Sequence, residues 1–490
     1  MRSSSIPQRI NPLPSERAKT LKTAFRACDV GALRGDNIDR YYVDLSRARS
    51  EIAIQNVKTR LKFLDAKESA AILFTGHRGC GKSTELPRIE REWQDPSRDE
   101  RYRVIYLEAN DEIDINDADF KDLYLVIVHR VTRELEYLGL RPNPKLIQDF
   151  DNWFKDVTEE KEDIWQKGFE FGGSAEAGQQ LPTVFKFIAS LSAQMKGTET
   201  TRRKIREKLE RSFSELQRNV NNLLADATEK IQQRSEKYKG FLVIFDNLDR
   251  IPPSVGEQLF FKDANQLREL NCSTIYTVPI SVVYSGKNLV NPWGVSPYIM
   301  PMVSVYQFER DRPSLDYNPE GLNLMAALIE QRIDIDAVFH SRDELMELAK
   351  LSGGHVRQLV QLMRTASMTA STKGHVTIQS EDVEYAANQL QFNFERSIAE
   401  DYYPALANIA VTKKAPTNQM SQDMLFNVQV MEYETQVAGS EKASLERWTD
   451  VNPLVRQIND FQMALQQAQA KTSDGDSPSI SAIGHSNPNG

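Results

Sequence analysis

The chain has 490 residues, enough for about three domains with cores of their own. Lys and Arg number 61 and Asp and Glu number 69, and the resulting formal charge of −8 argues against a protein that coats polyanions over its whole surface. No apolar run approaches the roughly 18 residues of a membrane span, and residues 1–17 lack the apolar segment of a secretory signal. Three cysteines (Cys28, Cys80 and Cys272) and six scattered histidines match neither a disulfide framework nor a zinc site. We therefore expect a reduced, cytoplasmic protein without a membrane span.

Four short apolar runs predict buried parallel strands, at residues 70–75, 103–107, 241–245 and 273–278. Helical patterns separate the runs, so the fold class that we predict is α/β, a three-layer domain with right-handed crossovers. About 130 residues lie between the second and third runs, far more than an ordinary crossover needs. We expect a helical insertion there.

The first strand leads into the sequence GHRGCGKST, which begins at Gly76 and matches GxxxxGK[ST] between a strand and a helix. Gly76, Gly79 and Gly81 allow the backbone to wrap around a phosphate, and the helix N-terminus adds positive potential. Lys82 would reach the β- and γ-phosphates and Ser83 would place its hydroxyl on Mg²⁺. The alternative is a structural turn. Cys80 fits a small filler of the loop better than a redox switch.

A second signal is the run at 241–245 followed directly by Asp246, Asn247, Leu248, Asp249 and Arg250. An acidic residue at the carboxyl end of a buried strand is a suitable partner for a magnesium-bound triphosphate. We therefore predict that Asp246 is the carboxylate on the magnesium side. Asp249 is open between a helix-cap or salt-bridge residue and a catalytic or water-positioning residue.

Helical patterns fill the rest of the chain. In the insertion we expect helices over 120–138 and 181–195, and one amphipathic helix of about thirty residues that carries Ile205 to Ile231 on one face. That helix either packs on its own domain or mediates interaction or self-assembly. An acidic patch (Glu159, Glu160, Glu162 and Asp163) and a Gly-rich spacer (171–179) lie between these helices.

A helical lid is predicted over 321–349, 354–370 and 380–392, with Ser380 as an N-cap. Arg357 opens the second of these segments after Gly353 and Gly354, and either faces a phosphate from the lid or is an ordinary surface arginine. After the lid, helices at 398–411 and near Ser421, two strands and the turn-rich segment 438–444 suggest a winged-helix module.

These motifs, in this order, resemble the AAA+ and STAND superclass of P-loop ATPases, and the layout is similar to KAP-type, origin-recognition and helicase-loader ATPases. The resemblance covers roughly residues 36–453 and depends on segments 76–86, 241–250, 352–359, 425–434 and 447–455. It implies ATP and Mg²⁺ as cofactors, Asp246 as the Walker B aspartate, Arg357 as the sensor 2 arginine, and segment 36–49 as a linker near the adenine. The residues implied in nucleotide binding are Gly76, His77, Arg78, Gly79, Cys80, Gly81, Lys82, Ser83, Thr84 and Arg357.

One position departs from that pattern. AAA+ enzymes usually have a glutamate directly after the Walker B aspartate, and this chain has Asn247. An amide cannot accept a proton from water as a carboxylate can. Either Asp249 does that work, with Lys82, Asp246 and Asn247 as the other catalytic candidates, or hydrolysis is slow. Arg310, Arg312 and Arg332 are candidate arginine fingers by position alone.

The resulting domain plan has five parts: a flexible N-terminal segment (1–35), a P-loop ATPase core (36–320) with an insertion at about 110–238, a helical lid (321–395), a winged-helix-like domain (396–470) and a disordered tail (471–490). The leading functional hypothesis is a slowly hydrolysing STAND or AAA+ switch that couples nucleotide state to assembly or signalling, a class that the resemblance links to bacterial antiphage defence. A DNA-loading or remodelling ATPase and a nucleotide-binding scaffold with little turnover are the alternatives. We expect a homo-oligomer or a protein effector as partner, and the charge of residues 396–470 does not favour DNA.

Overall fold

The computed structural model describes residues 16–49, 52–66, 68–158, 182–309, 315–436 and 445–473. Within these ranges, none of the helices combines the length and apolar character that crossing a lipid bilayer requires.

A five-stranded parallel sheet forms the centre of the fold, in the order β2-β3-β4-β1-β5. The strands are β1 (Ala71–Gly76), β2 (Arg101–Glu108), β3 (Tyr238–Asp246), β4 (Ser273–Pro279) and β5 (Tyr298–Met300). The predicted α/β fold class and its four buried strands are confirmed. Strand β5 was not predicted, because three residues are too few to show a periodic pattern. Glu108 pairs in register with Asp246, so the carboxyl ends of β2 and β3 lie side by side.

Four helices precede or follow β1 in the chain: α1 (Leu21–Ala27), α2 (Asp36–Tyr41), α3 (Ala53–Phe63) and α4 (Lys82–Gln94). Helix α1 lies in the segment expected to be flexible, yet Ala24 and Ala27 are fully buried in a core shared with the lid. The polar composition of this segment gave no indication that the helix has a short apolar face. Helix α4 begins at Lys82, so its N-terminus faces the loop that follows β1.

The insertion between β2 and β3 is helical, with α5 (Ala109–Glu112), α6 (Phe120–Tyr137), α7 (Pro144–Thr158), α8 (Thr183–Gln194), α9 (Glu199–Arg211) and α10 (Phe213–Arg234). The prediction of one helix of about thirty residues is wrong, because the helix is interrupted at Ser212. The Trp153 indole donates to the Ser212 hydroxyl at 3.1 Å, a contact that suits a serine between helices. Ile205 and Val220 are nevertheless buried in one core of their own domain. The predicted acidic patch and Gly-rich spacer lie outside the described residues.

Short elements complete the core after β3. They are α11 (Pro253–Glu257), a π-helical turn (Gln258–Lys262), α12 (Ala264–Arg268), α13 (Ile280–Val283) and α14 (Val290–Trp293). A small antiparallel pair, β6 (Tyr306–Gln307) and β7 (Asp316–Tyr317), then leads to the lid.

The lid is helical as predicted, with α15 (Pro319–Glu330), α16 (Ile335–Val338), α17 (Arg342–Leu351), α18 (Val356–Lys373) and α19 (Ser380–Glu395). The pattern at 321–349 is three helices rather than one. The N-cap of α19 is Gln379 and not Ser380, since Asp382 accepts from the Gln379 backbone N–H at 3.0 Å and completes a capping box.

The last part, which we call the C-terminal module, contains α20 (Tyr403–Thr412), α21 (Gln419–Phe426), β8 (Val430–Gln436), β9 (Leu445–Val451) and α22 (Asn459–Ser473). Strands β8 and β9 form an antiparallel pair, an element order compatible with the predicted winged helix. The predicted turn at 438–444 lies outside the described residues. Tyr433 and Trp448 stack at 4.4 Å, and both belong to the core that covers one face of the central sheet. This packing brings β8 next to the loop after β1.

Candidate nucleotide-binding site

The loop at residues 77–81 joins β1 to α4, and the glycines in the loop and at the end of β1 adopt conformations that other residues rarely take. Gly76, Gly79 and Gly81 have φ angles of 150°, 84° and 118°. A Cβ added at Gly76 would lie 2.4 Å from the Met300 carbonyl oxygen, and one at Gly79 would lie 2.8 Å from the Arg357 Cβ. Both the backbone conformation and the crowding therefore require glycine at these positions.

Lys82 is buried at the start of α4, with all three ammonium protons engaged. Its Nζ donates to the carbonyl oxygens of Gly76 at 2.7 Å and His77 at 2.8 Å, and it pairs with Asp249 Oδ2 at 2.8 Å. Burial lowers the pKa of Lys82, but Asp249, Cys80 and Asp246 together more than offset this effect, so the pKa lies above its ordinary value. The loop thus holds a fixed positive charge where the resemblance implies phosphate binding.

Asp246 lies fully buried at the end of β3 and accepts from four neighbours, one of which is Arg34 at 3.5 Å. The Ser83 hydroxyl donates to Oδ1 at 2.9 Å, the Asn247 backbone N–H donates to Oδ1 at 2.8 Å, and the Tyr106 hydroxyl donates to Oδ2 at 2.7 Å. Burial and the Asp246 carboxylate raise the pKa of Tyr106 well above its ordinary value, so the phenol keeps its proton. A hydroxyl and a carboxylate oxygen side by side are the ligand types that Mg²⁺ prefers, and these residues fit such an ion.

The two positions singled out after Asp246 have separate surroundings. Asn247 adopts a left-handed conformation (φ 66°), which asparagine tolerates better than most residues, and its side-chain amide donates to Glu108 Oε2 at 3.4 Å. Asp249 lies in a short 3₁₀ turn, Leu248–Arg250, and contacts Lys82. The sequence left two roles open for Asp249, a helix-cap or salt-bridge residue and a catalytic residue. In the structure, Asp249 forms a salt bridge.

Sequence reasoning missed two charged residues at this edge of the sheet. Arg34 Nη2 lies 2.8 Å from Glu108 Oε1 and 3.5 Å from Asp246 Oδ2, and thus contacts the carboxylates of two neighbouring strands. Glu108 follows directly on a predicted strand, which is the same signal that identified Asp246. Nothing in the sequence pointed to Arg34, because it precedes the motifs by more than forty residues.

The lid contacts the loop through residues at the N-terminus of α18. The ring Nε2 of His355 hydrogen-bonds the Arg78 carbonyl oxygen at 2.6 Å, and the Arg357 backbone N–H donates to the Gly79 carbonyl oxygen at 3.2 Å. Burial and the guanidinium of Arg250 lower the pKa of Arg357, while Asp249 opposes them. The structure therefore places Arg357 at the site, among positive charges suited to an anionic ligand.

The C-terminal module contacts the same loop from another side. The Glu432 backbone N–H donates to His77 Nε2 at 2.8 Å, and the Arg78 guanidinium lies 5.2 Å from the Phe426 ring centroid. The Tyr433 hydroxyl donates to the Gly353 carbonyl oxygen at 2.7 Å, directly before the lid residues described above. Loop, lid and module thus form one connected set of contacts.

A cavity opens from the loop between the N-terminal segment and the lid. Its lining includes residues 78–85 of the loop and α4, so Cys80 and Thr84 are brought to it with Lys82 and Ser83. Leu33, Val43 and Leu45 from the N-terminal part and Leu328 and Val360 from the lid supply an apolar end. Segment 36–49 reaches this end, in the place where the resemblance implies an adenine.

Of the three candidate arginine fingers, Arg332 is 5% exposed and lines this cavity of its own chain. A buried side chain cannot reach into a neighbouring subunit, so the geometry does not support that role for Arg332. Arg310 and Arg312 lie outside the described residues.

These features together define a class of protein. A parallel sheet carries a GxxxxGK[ST] loop after β1 and a buried carboxylate after β3, and a helical lid covers the loop, so the chain has an α/β P-loop fold with a helical C-terminal region.

Comparisons with solved structures show the following similarities. The Cdc6p protein of Pyrobaculum aerophilum shares 11% identity over 85% of this chain and 93% of that chain, with a TM-score of 0.35. The Aeropyrum pernix ORC2 protein in ADPNP and ADP complexes shares 11% identity over 91% and 98%, with a TM-score of 0.37. Drosophila ORC bound to DNA shares 9% identity over 95% and 96%, with a TM-score of 0.36. No protein-family model and no curated protein sequence matches the chain.

Proposed function

We propose that the protein is a magnesium-dependent ATPase switch, in which the nucleotide bound at the loop sets the positions of the lid and the C-terminal module. The observation that carries the proposal is that two consecutive loop residues are held by two different parts of the chain. His77 accepts from Glu432 in the module, and Arg78 is bound by His355 before the lid helix. A ligand that moves the loop therefore acts on both parts at once.

The site suits a nucleoside triphosphate. Arg78, Lys82, Arg250 and Arg357 supply positive charge around the loop, and the apolar end of the cavity suits a base. Ser83 and Asp246 would hold Mg²⁺, which when bound neutralises charge on the phosphates. The assignment of ATP rests on the resemblance to ATPases.

A switch follows from the bonding of Lys82. Its three protons are used by Gly76, His77 and Asp249, so a phosphate can bind the ammonium group only if one of these partners is released. Because His77 also accepts from the module, a change at Lys82 is transmitted to β8. Ligand binding shifts a population only by its difference in affinity for the two arrangements, and this exchange of partners supplies such a difference.

We propose that the output is assembly with further copies or binding of a protein effector. Turnover is slow, below about 1 s⁻¹, because the glutamate usual after the Walker B aspartate is replaced by Asn247.

The test combines ATP affinity with hydrogen exchange of the module. With Mg²⁺ and ATP, we expect amide exchange in β8 and β9 to change, and EDTA to abolish both binding and the change. Tyr433→Phe removes the bond to Gly353 and should reduce the response of the module while ATP affinity stays within about threefold. Tyr402→Phe is the matched control, because its hydroxyl contacts Asp423 within the module. ATP binding without any change in exchange would refute the switch.

A further inference from the structure

We propose that Glu108, at the end of β2, is the carboxylate that orients and deprotonates the water attacking the γ-phosphate. This inference rests on the ATPase activity proposed above, and it assigns a catalytic residue that the motifs did not identify. It also explains how the chain can hydrolyse ATP with an asparagine after Asp246.

The position of Glu108 supports the role. Glu108 pairs in register with Asp246, so the two carboxylates end neighbouring strands at the edge of a parallel sheet where ligands bind. One nitrogen of Arg34 contacts both side chains and fixes Glu108 beside the magnesium-side aspartate. Asn247 lines the cavity and donates to Glu108, so it links this carboxylate to the cavity.

Three other carboxylates near the loop also have close partners, and their side chains are less exposed than that of Glu108. Asp246 has both oxygens occupied by four hydrogen bonds and no exposed surface. Asp249 is paired with Lys82, and Glu85 is paired with Arg88 on α4. The side chain of Glu108 is 22% exposed, which leaves it open to water.

The bond between Asn247 and Glu108 indicates where a water would bind. At 3.4 Å it is long for an N–H···O hydrogen bond. A water that enters as this weak contact opens accepts from the Asn247 amide and donates to the Glu108 carboxylate, so both keep a partner. Asn247 is then a positioning residue, and Glu108 is the group that takes the proton.

The step balances with water and ATP alone. The water oxygen forms a bond to the γ-phosphorus, and the bond from that phosphorus to the β–γ bridging oxygen breaks. The bridging oxygen leaves with the electron pair as part of ADP. Glu108 accepts one proton from the water and returns it to phosphate or solvent. Removal of a general base of this kind typically lowers a rate by about 10²–10⁴-fold.

The test uses the full chain and two measurements, binding of a fluorescent ATP analogue with Mg²⁺ and release of phosphate. We expect Glu108→Gln to bind the analogue within about threefold of the wild type and to lose at least about a hundredfold in phosphate release. The matched control is Glu112→Gln, because Glu112 is also ion-paired, to Arg130, and lies one helical turn further along the chain. This control should hydrolyse ATP at the wild-type rate.

The outcomes separate the two proposals. A Glu108→Gln protein that hydrolyses ATP at the wild-type rate overturns this assignment but leaves the proposed ATPase activity in place. If Asp249→Asn loses hydrolysis in the same experiment, Asp249 is the residue that activates the water. Loss of nucleotide binding together with hydrolysis in Glu108→Gln would show a structural role and overturn it as well. A wild-type protein that binds ATP but releases no more phosphate than Lys82→Ala refutes hydrolysis, and the inference with it.

Discussion

The ammonium group of Lys82 and the carboxylate of Asp249 form an ion pair 2.8 Å long inside the phosphate-binding loop, and both side chains are buried. The lysine that would hold a phosphate is therefore bound by an anion of the same chain. Removing one partner of a buried ion pair leaves the charge of the other uncompensated, so each residue depends on the other for its contribution to stability. In ligand binding the two have opposite effects, because Asp249 competes with a phosphate for Lys82.

Lys82→Ala should weaken both the fold and nucleotide binding. An uncompensated Asp249 costs about 3–5 kcal/mol of the free energy of unfolding, and loss of the charged phosphate contact costs about 1.5–3 kcal/mol of binding, a ten- to hundredfold weaker affinity. The double variant Lys82→Ala/Asp249→Ala should regain most of the stability but not the affinity. Urea unfolding and ATP titration measure the two effects. An undiminished ATP affinity in folded Lys82→Ala would exclude the site.

Asp249→Asn should have the opposite effect on affinity. Without the carboxylate, Lys82 keeps an amide partner that a phosphate displaces more readily than an anion, so we expect ATP to bind several-fold more tightly. Isothermal titration with ATP and Mg²⁺ measures this change. Asp226→Asn is a control, since Asp226 is also paired with a lysine, Lys230, but on α10 away from the loop. Weaker binding by Asp249→Asn would mean that Asp249 contributes to ligand binding instead of competing with it.

Local sequence signals predicted the central sheet and the loop well. Runs such as 241–245 are apolar at every position because both faces of the strand are buried, and the residues that follow them, Gly76 and Asp246, mark the carboxyl ends. The bond between His77 and Glu432 joins residues 355 positions apart, and no local pattern encodes such a contact. The same reasoning could have identified Glu108, which also follows a predicted strand. A glutamate at that position indicates a site only when the neighbouring strand is known.

Acid should weaken the contacts that join loop, lid and module. Burial, together with His355 and Lys82, lowers the pKa of His77 to about 3, and burial, with Arg357 and Lys82, lowers the pKa of His355 to about 4. Both imidazoles are neutral in the fold: His77 Nε2 accepts from Glu432, and His355 Nδ1 accepts from the Gln358 N–H. Unfolded histidines bind protons below about pH 6.5, so stability falls as the pH drops from 6.5 towards 4.

The expected slope is up to about 1.4 kcal/mol per pH unit for each of the two histidines. Urea midpoints at pH 7.5 and 5.5 measure it. His355→Asn keeps a capping group without a titrating ring and should flatten the dependence, whereas His340→Asn, at an exposed position, should leave it unchanged. Equal slopes in wild type and His355→Asn would contradict the prediction.

Gly79→Ala should disturb the contact between loop and lid. Its Cβ would lie 2.8 Å from the Arg357 Cβ and 2.9 Å from the His355 ring, in a backbone with φ +84°. Gly374→Ala is a matched control, because Gly374 has φ +79° and nothing within 4 Å of the added atom. Both variants bear the left-handed strain of about 1–2 kcal/mol, but Gly79→Ala should in addition lose at least about tenfold in ATP affinity. Equal ATP affinities in the two variants would show that the lid contact has no part in binding.

DNA is the partner that the second functional hypothesis requires. Residues 396–470 contain six basic residues (Arg396, Lys413, Lys414, Lys442, Arg447 and Arg456) and nine acidic ones, a net charge of −3. The structure pairs three of the six with acidic residues: Lys413 and Arg456 contact Asp450, and Arg447 contacts Glu434. Burial also lowers the pKa of Lys413, with Asp450 opposing it.

Affinity for duplex DNA depends heavily on neutralising phosphates, and a protein that makes six to ten such contacts loses about 10³–10⁵-fold in affinity between 50 and 200 mM salt. A module with six cations, three of which are already bound to its own carboxylates, cannot form that many contacts without breaking these pairs. We therefore expect the full chain, with Mg²⁺ and ATP, to bind labelled duplex only weakly and with a shallow salt slope. Fluorescence anisotropy at about 50 and 200 mM salt measures both quantities. The charge reversal Asp450→Lys tests the module directly, because it releases Lys413 and Arg456 and should strengthen binding if the module faces the duplex at all. Submicromolar affinity with a steep salt slope in the wild type would favour the DNA-loading hypothesis over the switch.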